Sequence, residues 1–283
     1  MILIVDSGAT KSDWIALTEK GERLFLTQTL GLSPEVLTRP VIEDRLANNF
    51  ELSKNREDVT ALYFYGAGCG TERMQDFLKE IFKVFFPNAI AEVREDTYAA
   101  VYATTAIGDQ SIVCILGTGS NCSYYDGEKL YQKVTSLGYI PMDDGSGNFF
   151  GRKLIRDYYF NKMPKELAEK FASEYNLEAD VIKENLYKQP NPNTYLATFA
   201  RFIVENKENS YCKGVIEKGF QQFINNYIMQ FDLATKVPVS FVGSIAYYLR
   251  DELKKALERN DLIVGQILQK PIDGLVKFHQ KSI

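Results

Sequence analysis

The sequence predicts an α/β protein that consists of two related halves. Three observations lead to this prediction. Runs of β-branched residues, typical of buried strands, alternate along the chain with stretches of helical periodicity. A strand–turn–strand–turn pattern at the start of the sequence returns near its middle. The length of 283 residues is also sufficient for two domains of about 100–200 residues each.

The first half is predicted to begin with two hairpins. Residues 2–5 form a continuous apolar run of mostly β-branched residues, which is typical of a strand buried on both faces. A polar turn over 6–12 leads into a second strand, and the next turn, at 20–22, leads into a third. The remaining predicted elements of this half are a helix over 36–50, a strand over 61–65, a helix over 71–86, a strand over 91–93 and a helix that follows Asp96 and runs through Ala106.

The same order of elements begins again at residue 111. Residues 111–130 predict a strand, a turn, a second strand and a second turn. Alignment of the two turns places three pairs of residues opposite one another: Gly8 and Gly119, Asp6 and Gly117, and Thr10 and Asn121. Unrelated hairpins are common, but a match over four consecutive features favours duplication. We therefore predict one domain of residues 1–108 and a second of residues 109–283.

The rest of the second half is predicted to be mainly helical. Helical spacing covers 147–160, 165–175, 194–206 and 211–232. A last strand over 237–242 ends at Gly243 and Ser244, which open a further helix. The segment 262–283 has no clear periodicity beyond a turn at 271–274 and a short terminal helix.

Composition and charge exclude several classes of function. The net charge is −4, with 33 basic and 37 acidic residues, which disfavours nucleic acid and anionic membranes as partners. No run approaches the roughly 18 apolar residues of a membrane span, and the first residues do not resemble a signal peptide. The four cysteines show no paired metal-ligand spacing, and a single histidine, His279, excludes a histidine-based triad. An anionic ligand must therefore be bound by local groups.

The two glycine-containing turns are candidate sites for such an anion. Successive backbone N–H groups of a tight turn can converge on an oxyanion, and glycine allows the ligand to approach closely. Thr10, Thr118 and Ser120 add hydroxyl donors, and Lys11 adds a positive charge. Either turn alone is more simply a tight hairpin. Their presence at equivalent positions in both halves favours phosphate binding.

Two aspartates are candidates for metal binding and catalysis. Asp6 ends the first strand, and one carboxylate beside a polyphosphate suits hydrated Mg²⁺, although an aspartate can also simply stabilise a turn. Asp96 precedes a helix, where it can act as an N-cap or as the general base that takes a proton from an acceptor hydroxyl. The residues alone leave both pairs of alternatives open.

Two further polar segments are candidates for ligand recognition. The loop from Gly138 to Gly147 holds Asp143 and Asp144 beside three glycines, which suits sugar hydroxyls or magnesium. A solvated loop that caps the next helix is the alternative, and it fits Asp144 better than Asp143. Gly243 and Ser244 lie between a strand and a helix, where an adenosine can lie against the backbone or the chain can simply turn.

Six segments occur in an order that resembles the BadF/BadG/BcrA/BcrD-type ATPase family. They are DSGATKSDW, YGAGCG, EDTYAAV, ILGTGSNC, GYIPMDDGSGNFFGRKLI and FVGSIAYY. Within that family the chain is most similar to N-acetylglucosamine kinases, over about residues 1–250. The resemblance implies the actin/Hsp70/sugar-kinase architecture, in which two ribonuclease-H-like (actin-like ATPase) domains close on ATP and Mg²⁺ in a cleft.

The resemblance also implies a role for individual residues. Asp96 takes the place of the base that acts on the sugar hydroxyl, and Asp6 that of the acidic residue beside the metal. The implied contacts to ATP are Gly8, Thr10, Lys11, Gly117, Thr118 and Gly119 for the phosphates, and Gly243 and Ser244 for the adenosine. The implied sugar contacts are Ser120, Asn121, Gly138, Asp143 and Ser33, the last in place of the family's asparagine.

The leading hypothesis is therefore a cytoplasmic, Mg²⁺-dependent kinase that transfers phosphate from ATP to an amino sugar, above all N-acetylglucosamine, and that can form a homodimer. One alternative is an ATPase that activates an iron–sulfur dehydratase, which the absence of cysteine from residues 138–160 disfavours. Another is a non-catalytic sensor of sugar or nucleotide, which the lack of a DNA-binding module or basic extension disfavours.

Overall fold

The structure is a computed structural model that describes residues 1–8 and 11–281. The chain divides into two compact units, Met1–Ile107 with Lys270–Ile283, and Gly108–Gln269. The sequence analysis placed residues 270–283 in the second domain. They belong instead to the first unit, because the helix that they form packs against elements of that unit.

The first unit is built on a five-stranded sheet with the order β3-β2-β1-β4-β5. Strands β1, β4 and β5 are parallel, whereas β2 is antiparallel to both β1 and β3. The strands are β1 (Ile2–Ser7), β2 (Lys11–Leu17), β3 (Arg23–Leu30), β4 (Ala61–Gly66) and β5 (Ile90–Glu95). The helices are α1 (Arg39–Ala47), α2 (Phe50–Lys54), α3 (Glu72–Phe85), α4 (Asp96–Thr104) and, from the C-terminal segment, α13 (Ile272–Gln280).

The central strand β1 is buried on both faces of this sheet. Successive side chains of a strand point to opposite faces, so that a run of apolar residues can serve two cores. Leu3 and Val5 pack in the core that contains Phe82 of α3. Ile4, on the other face, packs in the cluster that contains Leu275 of α13. The continuous apolar run at the start of the sequence is thereby explained.

The second unit is built on a sheet with the order β10-β9-β6-β7-β8. Its strands are β6 (Ser111–Leu116), β7 (Ser120–Tyr125), β8 (Leu130–Tyr131), β9 (Pro238–Val242) and β10 (Ile263–Leu268). Its α-helices are α5 (Gly147–Tyr159), α6 (Lys165–Glu174), α7 (Ala179–Tyr187), α8 (Pro192–Thr198), α9 (Ala200–Glu205), α10 (Ser210–Asn226), α11 (Ser244–Tyr248) and α12 (Arg250–Glu258). A 3₁₀ helix spans Ile228–Gln230.

The two sheets have the same topology. In each, three consecutive strands form an antiparallel meander, and two later strands extend the sheet in parallel from the first strand of that meander. Thus β1, β4 and β5 correspond to β6, β9 and β10. This agreement in order and direction supports the duplication that the two hairpins predicted, and it confirms a mixed α/β fold.

Some predicted elements differ from those observed. The helix predicted over 36–50 is shorter, since α1 ends at Ala47, and Asn49 then begins the separate helix α2 as an N-cap that accepts a hydrogen bond from the Leu52 N–H. The helix predicted over 211–232 ends at Asn226. Helix α7 and strand β10 were not predicted at all. Among the described residues, no helix combines the length and apolar character needed to cross a membrane.

Helix α13 is closely packed on α4 and on the first sheet. The rings of Phe278 and Tyr102 stack with their centroids 4.2 Å apart. A hydrogen bond of 2.8 Å joins His279 Nε2 and Tyr65 Oη, and burial lowers the pKa of His279 to about 4, so that it is neutral at pH 7. A Cβ atom on Gly274 would lie only 2.6 Å from Ala103 Cβ. The two helix backbones can approach this closely because residue 274 has no side chain.

We predict that Gly274→Ala destabilises the protein, because the added methyl group would force α13 away from α4. The expected loss is about 1–3 kcal/mol of the free energy of unfolding. Gly214→Ala is the matched control, since it also changes a helical glycine but places a Cβ with no atom within 4 Å. That control should be neutral or stabilising by up to about 1 kcal/mol. Urea and thermal unfolding followed by circular dichroism measure both changes. Equal effects of the two variants would contradict the close packing of α13.

Candidate active site

In the first unit, the predicted metal and catalytic residues lie at one edge of the sheet. Strands β1, β4 and β5 are parallel neighbours, so their C-terminal ends meet there. Ser7 of β1 is level with Gly66 of β4, which is level with Glu95 of β5. Asp6 directly precedes Ser7, and Asp96 directly follows Glu95. The structure thus brings together Asp6 and Asp96, which are 90 positions apart in the sequence.

Asp6 is in an environment that disfavours its negative charge. The pKa of Asp6 is raised to about 7, mainly by burial and also by the charges of Asp96 and Asp13, while Lys11 and Lys270 oppose this rise. A bound cation would compensate for both the burial and the neighbouring carboxylates. Among residues 1–8 and 11–281, no group of three or more His, Cys, Asp or Glu side chains could hold a metal. The buried Asp6 carboxylate, beside other negative charges, fits Mg²⁺, which needs one or two carboxylates and takes its other ligands from water and phosphate.

Asp96 is the first residue of α4, and the position before it, Glu95, is the N-cap. Of the two interpretations of Asp96, the N-cap is therefore wrong. Its carboxylate accepts hydrogen bonds from the backbone N–H groups of Thr97 and of Asp96 itself, which lower its pKa. Burial has the larger effect and raises the pKa to about 6. Asp96 is thus ionised at neutral pH and close to the pKa that suits a general base.

The turn between β1 and β2, residues 8–11, is called the first turn below. The N–H of Gly8 donates to the carbonyl of Lys11 over 2.9 Å, while Thr10 lies outside the described residues. Lys11 Nζ and Lys270 Nζ lie 3.4 and 3.2 Å from the same oxygen, Oδ2 of Asp13. Because two ammonium groups share one carboxylate, positive charge remains beside the turn. Sequence reasoning missed Lys270, which comes from a segment far along the chain.

Two more acidic residues, Glu35 and Glu95, lie beside the turn that follows β4. Ser33 is buried against Gly68, where a Cβ atom would lie 2.5 Å from Ser33 Oγ. Burial raises the pKa of Glu95 to about 7, with further contributions from Asp96 and Glu35. Neither glutamate was singled out in the sequence. The sequence feature that could have identified Glu95 is the pair of consecutive acidic residues, Glu95 and Asp96, at the end of a predicted strand.

In the second unit, the turn between β6 and β7, residues 117–119, is called the second turn. The Gly117 N–H donates to the Gly119 carbonyl over 3.0 Å. The first two N–H groups of α5 donate to this turn, from Gly147 to the Gly117 carbonyl over 2.8 Å and from Asn148 to the Thr118 carbonyl over 2.9 Å. The start of helix α5 therefore fixes the conformation of the predicted phosphate turn.

Asp143 is buried beside the second turn in a left-handed backbone conformation, with φ of +68°. Its Oδ1 accepts a hydrogen bond from the Ser120 N–H over 3.3 Å, and its Oδ2 accepts one from Asn148 Nδ2 over 3.1 Å. Its own N–H donates to Tyr227 Oη over 3.2 Å. Burial nevertheless raises the pKa of Asp143. Of the predicted sugar contacts, Asp143 and Ser120 are thus brought into direct contact.

The two other predicted sugar contacts of this unit are Asn121, which lies near the second turn, and Gly138, which lies in the loop before Asp143. Asn121 directly follows Ser120, and its Oδ1 accepts a hydrogen bond from the Cys122 N–H. Gly138 has a φ of +83° and accepts a hydrogen bond from the Met142 N–H, but it contacts none of the other predicted sugar residues through a hydrogen bond. Gly138 therefore shapes the loop before Asp143.

Gly243 lies against the strand that leads into the second turn. It has a φ of +130°, and a Cβ atom there would lie 2.3 Å from the Leu116 carbonyl oxygen and 3.0 Å from the Gly117 nitrogen. Only glycine permits this approach. Ser244 then begins α11. The structure therefore brings the predicted adenosine segment next to the second turn.

The chain was compared with known proteins. No family model and no curated protein matches it. The solved structure of a putative N-acetylglucosamine kinase from Porphyromonas gingivalis is 34% identical over 99% of both chains, with a TM-score of 0.93. A putative N-acetylglucosamine kinase from Chromobacterium violaceum is 15% identical over 98% of both chains, with a TM-score of 0.71.

A more distant match is a ROK family glucokinase from Streptomyces griseus, solved in complex with glucose and AMPPNP. It is 16% identical, covers 98% of this chain and 97% of its own, and has a TM-score of 0.59. This match and the Chromobacterium violaceum one are similarities of fold. The name BadF/BadG/BcrA/BcrD is not among these findings and stays a prediction.

We predict that Gly119→Ala destabilises the second unit. A Cβ atom at residue 119 would lie 2.7 Å from Asp143 Oδ2, and this carboxylate is held by hydrogen bonds that any shift would break. The expected cost is about 1–3 kcal/mol. Gly117→Ala is the matched control, because a Cβ there meets no atom within 4 Å. Urea unfolding of the ligand-free variants measures the difference, and a Gly117→Ala cost as large as that of Gly119→Ala would contradict it.

Proposed function

We propose that this chain phosphorylates an amino sugar, with N-acetylglucosamine as the first candidate. The chain belongs to the same family as the Porphyromonas gingivalis protein and is an ATP-dependent sugar kinase. The convergence of Asp6 and Asp96 on one sheet edge is the observation that carries this proposal. Phosphoryl transfer to a hydroxyl needs a positioned base and a cation close to each other, and this edge offers one carboxylate for the base and one that could bind the cation. The acceptor is inferred from the name of the relative.

Asp96 is the proposed general base. Its carboxylate takes the proton from the acceptor hydroxyl as the hydroxyl oxygen attacks the γ-phosphorus of ATP and the bond to the β-phosphate oxygen breaks. The backbone N–H groups at the start of α4 hold the carboxylate in one orientation. Its pKa of about 6 leaves it ionised at neutral pH while keeping it more basic than an exposed aspartate.

Asp6 is the proposed residue for Mg²⁺. When bound, this ion neutralises the negative charge on the transferring phosphoryl group. The raised pKa of Asp6 supports the assignment, because the carboxylate gains more from a cation than an exposed one would. Lys11 and Lys270 supply further positive charge at the same turn.

The remaining contacts to ATP are proposed for the two turns and the segment after β9. Backbone N–H groups of small residues suit phosphate oxygens, which a chain of net charge −4 cannot attract by its overall field. The proposed phosphate contacts are Gly8, Thr10, Lys11, Gly117, Thr118 and Gly119. Gly243 and Ser244 are proposed for the adenosine, supported by the position of Gly243 beside Gly117.

The sugar contacts are proposed for both units. In the second unit, the Asp143 carboxylate is held by neighbours and is suited to accept hydrogen bonds from sugar hydroxyls. Ser120, Asn121 and Gly138 are proposed with it. In the first unit, Ser33 is proposed beside the turn that follows β4, where Glu95 adds a second carboxylate next to Asp96.

The activator of an iron–sulfur enzyme is less well supported. Such a protein presents cysteine thiolates to a cluster, whereas Cys69, Cys114, Cys122 and Cys212 are all buried here. Burial raises the pKa of Cys69 to about 12 and that of Cys212 to about 11. Buried thiols with high pKa values are poor cluster ligands.

We predict sugar-dependent consumption of ATP with N-acetylglucosamine. A coupled assay for ADP over N-acetylglucosamine, N-acetylmannosamine, glucosamine and glucose tests the substrate class, and mass spectrometry of the product identifies the phosphorylated sugar. Without magnesium, after treatment with EDTA, turnover should fall to background, because the phosphates lose their cation. Binding of these sugars without any phosphorylated product would instead favour a sensor, and ATP turnover that no sugar stimulates would contradict the kinase.

We predict that Asp96→Asn lowers sugar-dependent kcat at least a hundredfold while ATP still binds, because the amide cannot accept the proton. In the unchanged protein, kcat with saturating Mg²⁺, ATP and sugar should fall about tenfold per pH unit below about 6, as Asp96 becomes protonated. Asp180→Asn is the control, since Asp180 is an exposed aspartate in the first turn of α7. A residual kcat near that of the unchanged protein in Asp96→Asn would exclude Asp96 as the base.

A further inference from the structure

Asn148 contacts both the second turn and Asp143. It is the second residue of α5, and only 1% of its surface is exposed. Its backbone N–H donates to the Thr118 carbonyl over 2.9 Å, while its side-chain Nδ2 donates to Asp143 Oδ2 over 3.1 Å. One buried residue therefore joins the turn proposed for phosphate to the carboxylate proposed for sugar.

The Asn148 amide is oriented by Asp143. Its Oδ1 is buried and has no hydrogen-bond partner among the described residues. A rotation of the amide by half a turn would place this oxygen against the Asp143 carboxylate, which would repel it. The observed orientation is therefore the one in which the amide donates to Asp143, and an unpaired buried oxygen is retained to keep it. A buried polar atom left unpaired in this way is typical of a functional network.

Helix α5 and the second turn are held together as one structural element. Gly147 donates to the Gly117 carbonyl over 2.8 Å, next to the Asn148 bond to Thr118. A Cβ atom on Gly147 would lie 3.2 Å from the Gly117 oxygen, so little space separates them. A displacement of the turn therefore displaces the start of α5 and, through the Asn148 side chain, the Asp143 carboxylate.

We propose that Asn148 is a positioning residue that couples the two ligands, so that nucleotide at the second turn and sugar at Asp143 increase each other's affinity. This inference rests on the proposed function, since it takes Asp143 as a sugar contact. Asn148 touches neither ligand itself. Its amide holds the Asp143 carboxylate in the orientation that accepts a sugar hydroxyl, and that orientation depends on the position of the turn. Coupling of this kind is reciprocal for binding.

The test measures binding of N-acetylglucosamine by calorimetry, with and without AMPPNP, and of AMPPNP with and without the sugar. In Asn148→Ala, the Kd for the sugar should rise about tenfold, because a hydrogen bond to a charged group is lost. The factor by which AMPPNP tightens sugar binding should fall as well, to what the remaining hydrogen bond from the Ser120 N–H to Asp143 Oδ1 can transmit. Asn148→Asp has nearly the same shape and suits a helix N-terminus, but it repels Asp143, so sugar binding should weaken at least as much.

Ser146→Ala is the matched control for helix stability. Ser146 caps the same helix by accepting a hydrogen bond from the Phe149 N–H, so its loss lowers the thermal stability at the same site without touching the Asn148–Asp143 contact. This variant should keep the Kd and the coupling factor of the unchanged protein. If Ser146→Ala weakens sugar binding and coupling as much as Asn148→Ala does, Asn148 is merely structural and the inference is overturned.

Asp143→Asn separates the inference from the proposed function. If the unchanged protein binds sugar, Asp143→Asn does not, and both Asn148 variants bind and couple normally, the inference is wrong while the proposed sugar site stands. If Asp143→Asn binds sugar as well as the unchanged protein, or if the unchanged protein binds no sugar, the proposed site and the inference fall together. A coupling factor of one in the unchanged protein also overturns the inference.

Discussion

The backbone pairing of parallel strands is the constraint on which the candidate site depends. In each unit, the first strand of a meander pairs in parallel with a later strand, and its C-terminal end leads directly into a glycine-containing turn. The pairing between β1, β4 and β5 places Asp6 level with Arg94 of β5, two residues before Asp96 at the start of α4. The pairing of β6 with β9 places Gly243 beside the second turn. Register therefore decides which side chains meet at each turn.

The two units treat their buried carboxylates differently. In the first unit, Asp6, Glu95 and Asp96 lie close together, and burial is the largest cause of the raised pKa of each. Such an arrangement costs folding energy and is typical of functional sites rather than of stabilising ion pairs. In the second unit, Asp143 is also buried, and hydrogen bonds from the Ser120 N–H and the Asn148 side chain oppose the rise of its pKa, as the backbone N–H groups at the start of α4 do for Asp96. The first arrangement suits proton transfer and a cation, whereas the second suits a fixed hydrogen-bond acceptor.

Much of the fold could be predicted from local patterns. The buried run of β1, the two hairpins and the amphipathic helices depend on periodicity and turn residues, which are read within short windows. Helix α5 was predicted within one residue of its end, since the polar loop that ends at Ser146 marks its beginning. The break between α1 and α2 was missed because the capping role of Asn49 depends on its hydrogen bond to Leu52. Strand β10 was missed because its burial depends on pairing with β9.

The sequence by itself determined the α/β class and the repeated hairpin, because residue type and spacing carry that information. The roles predicted for Asp6, Asp96 and Asp143 came from the resemblance of the motifs around them to a known family. Tertiary structure decided what those residues meet. It brought Lys270 to Asp13, placed Glu35 near Glu95, and joined Asn148 to both Asp143 and the second turn. It also assigned the last residues of the chain to the first unit. These contacts join distant segments, and no local pattern of apolar and polar residues encodes such partners.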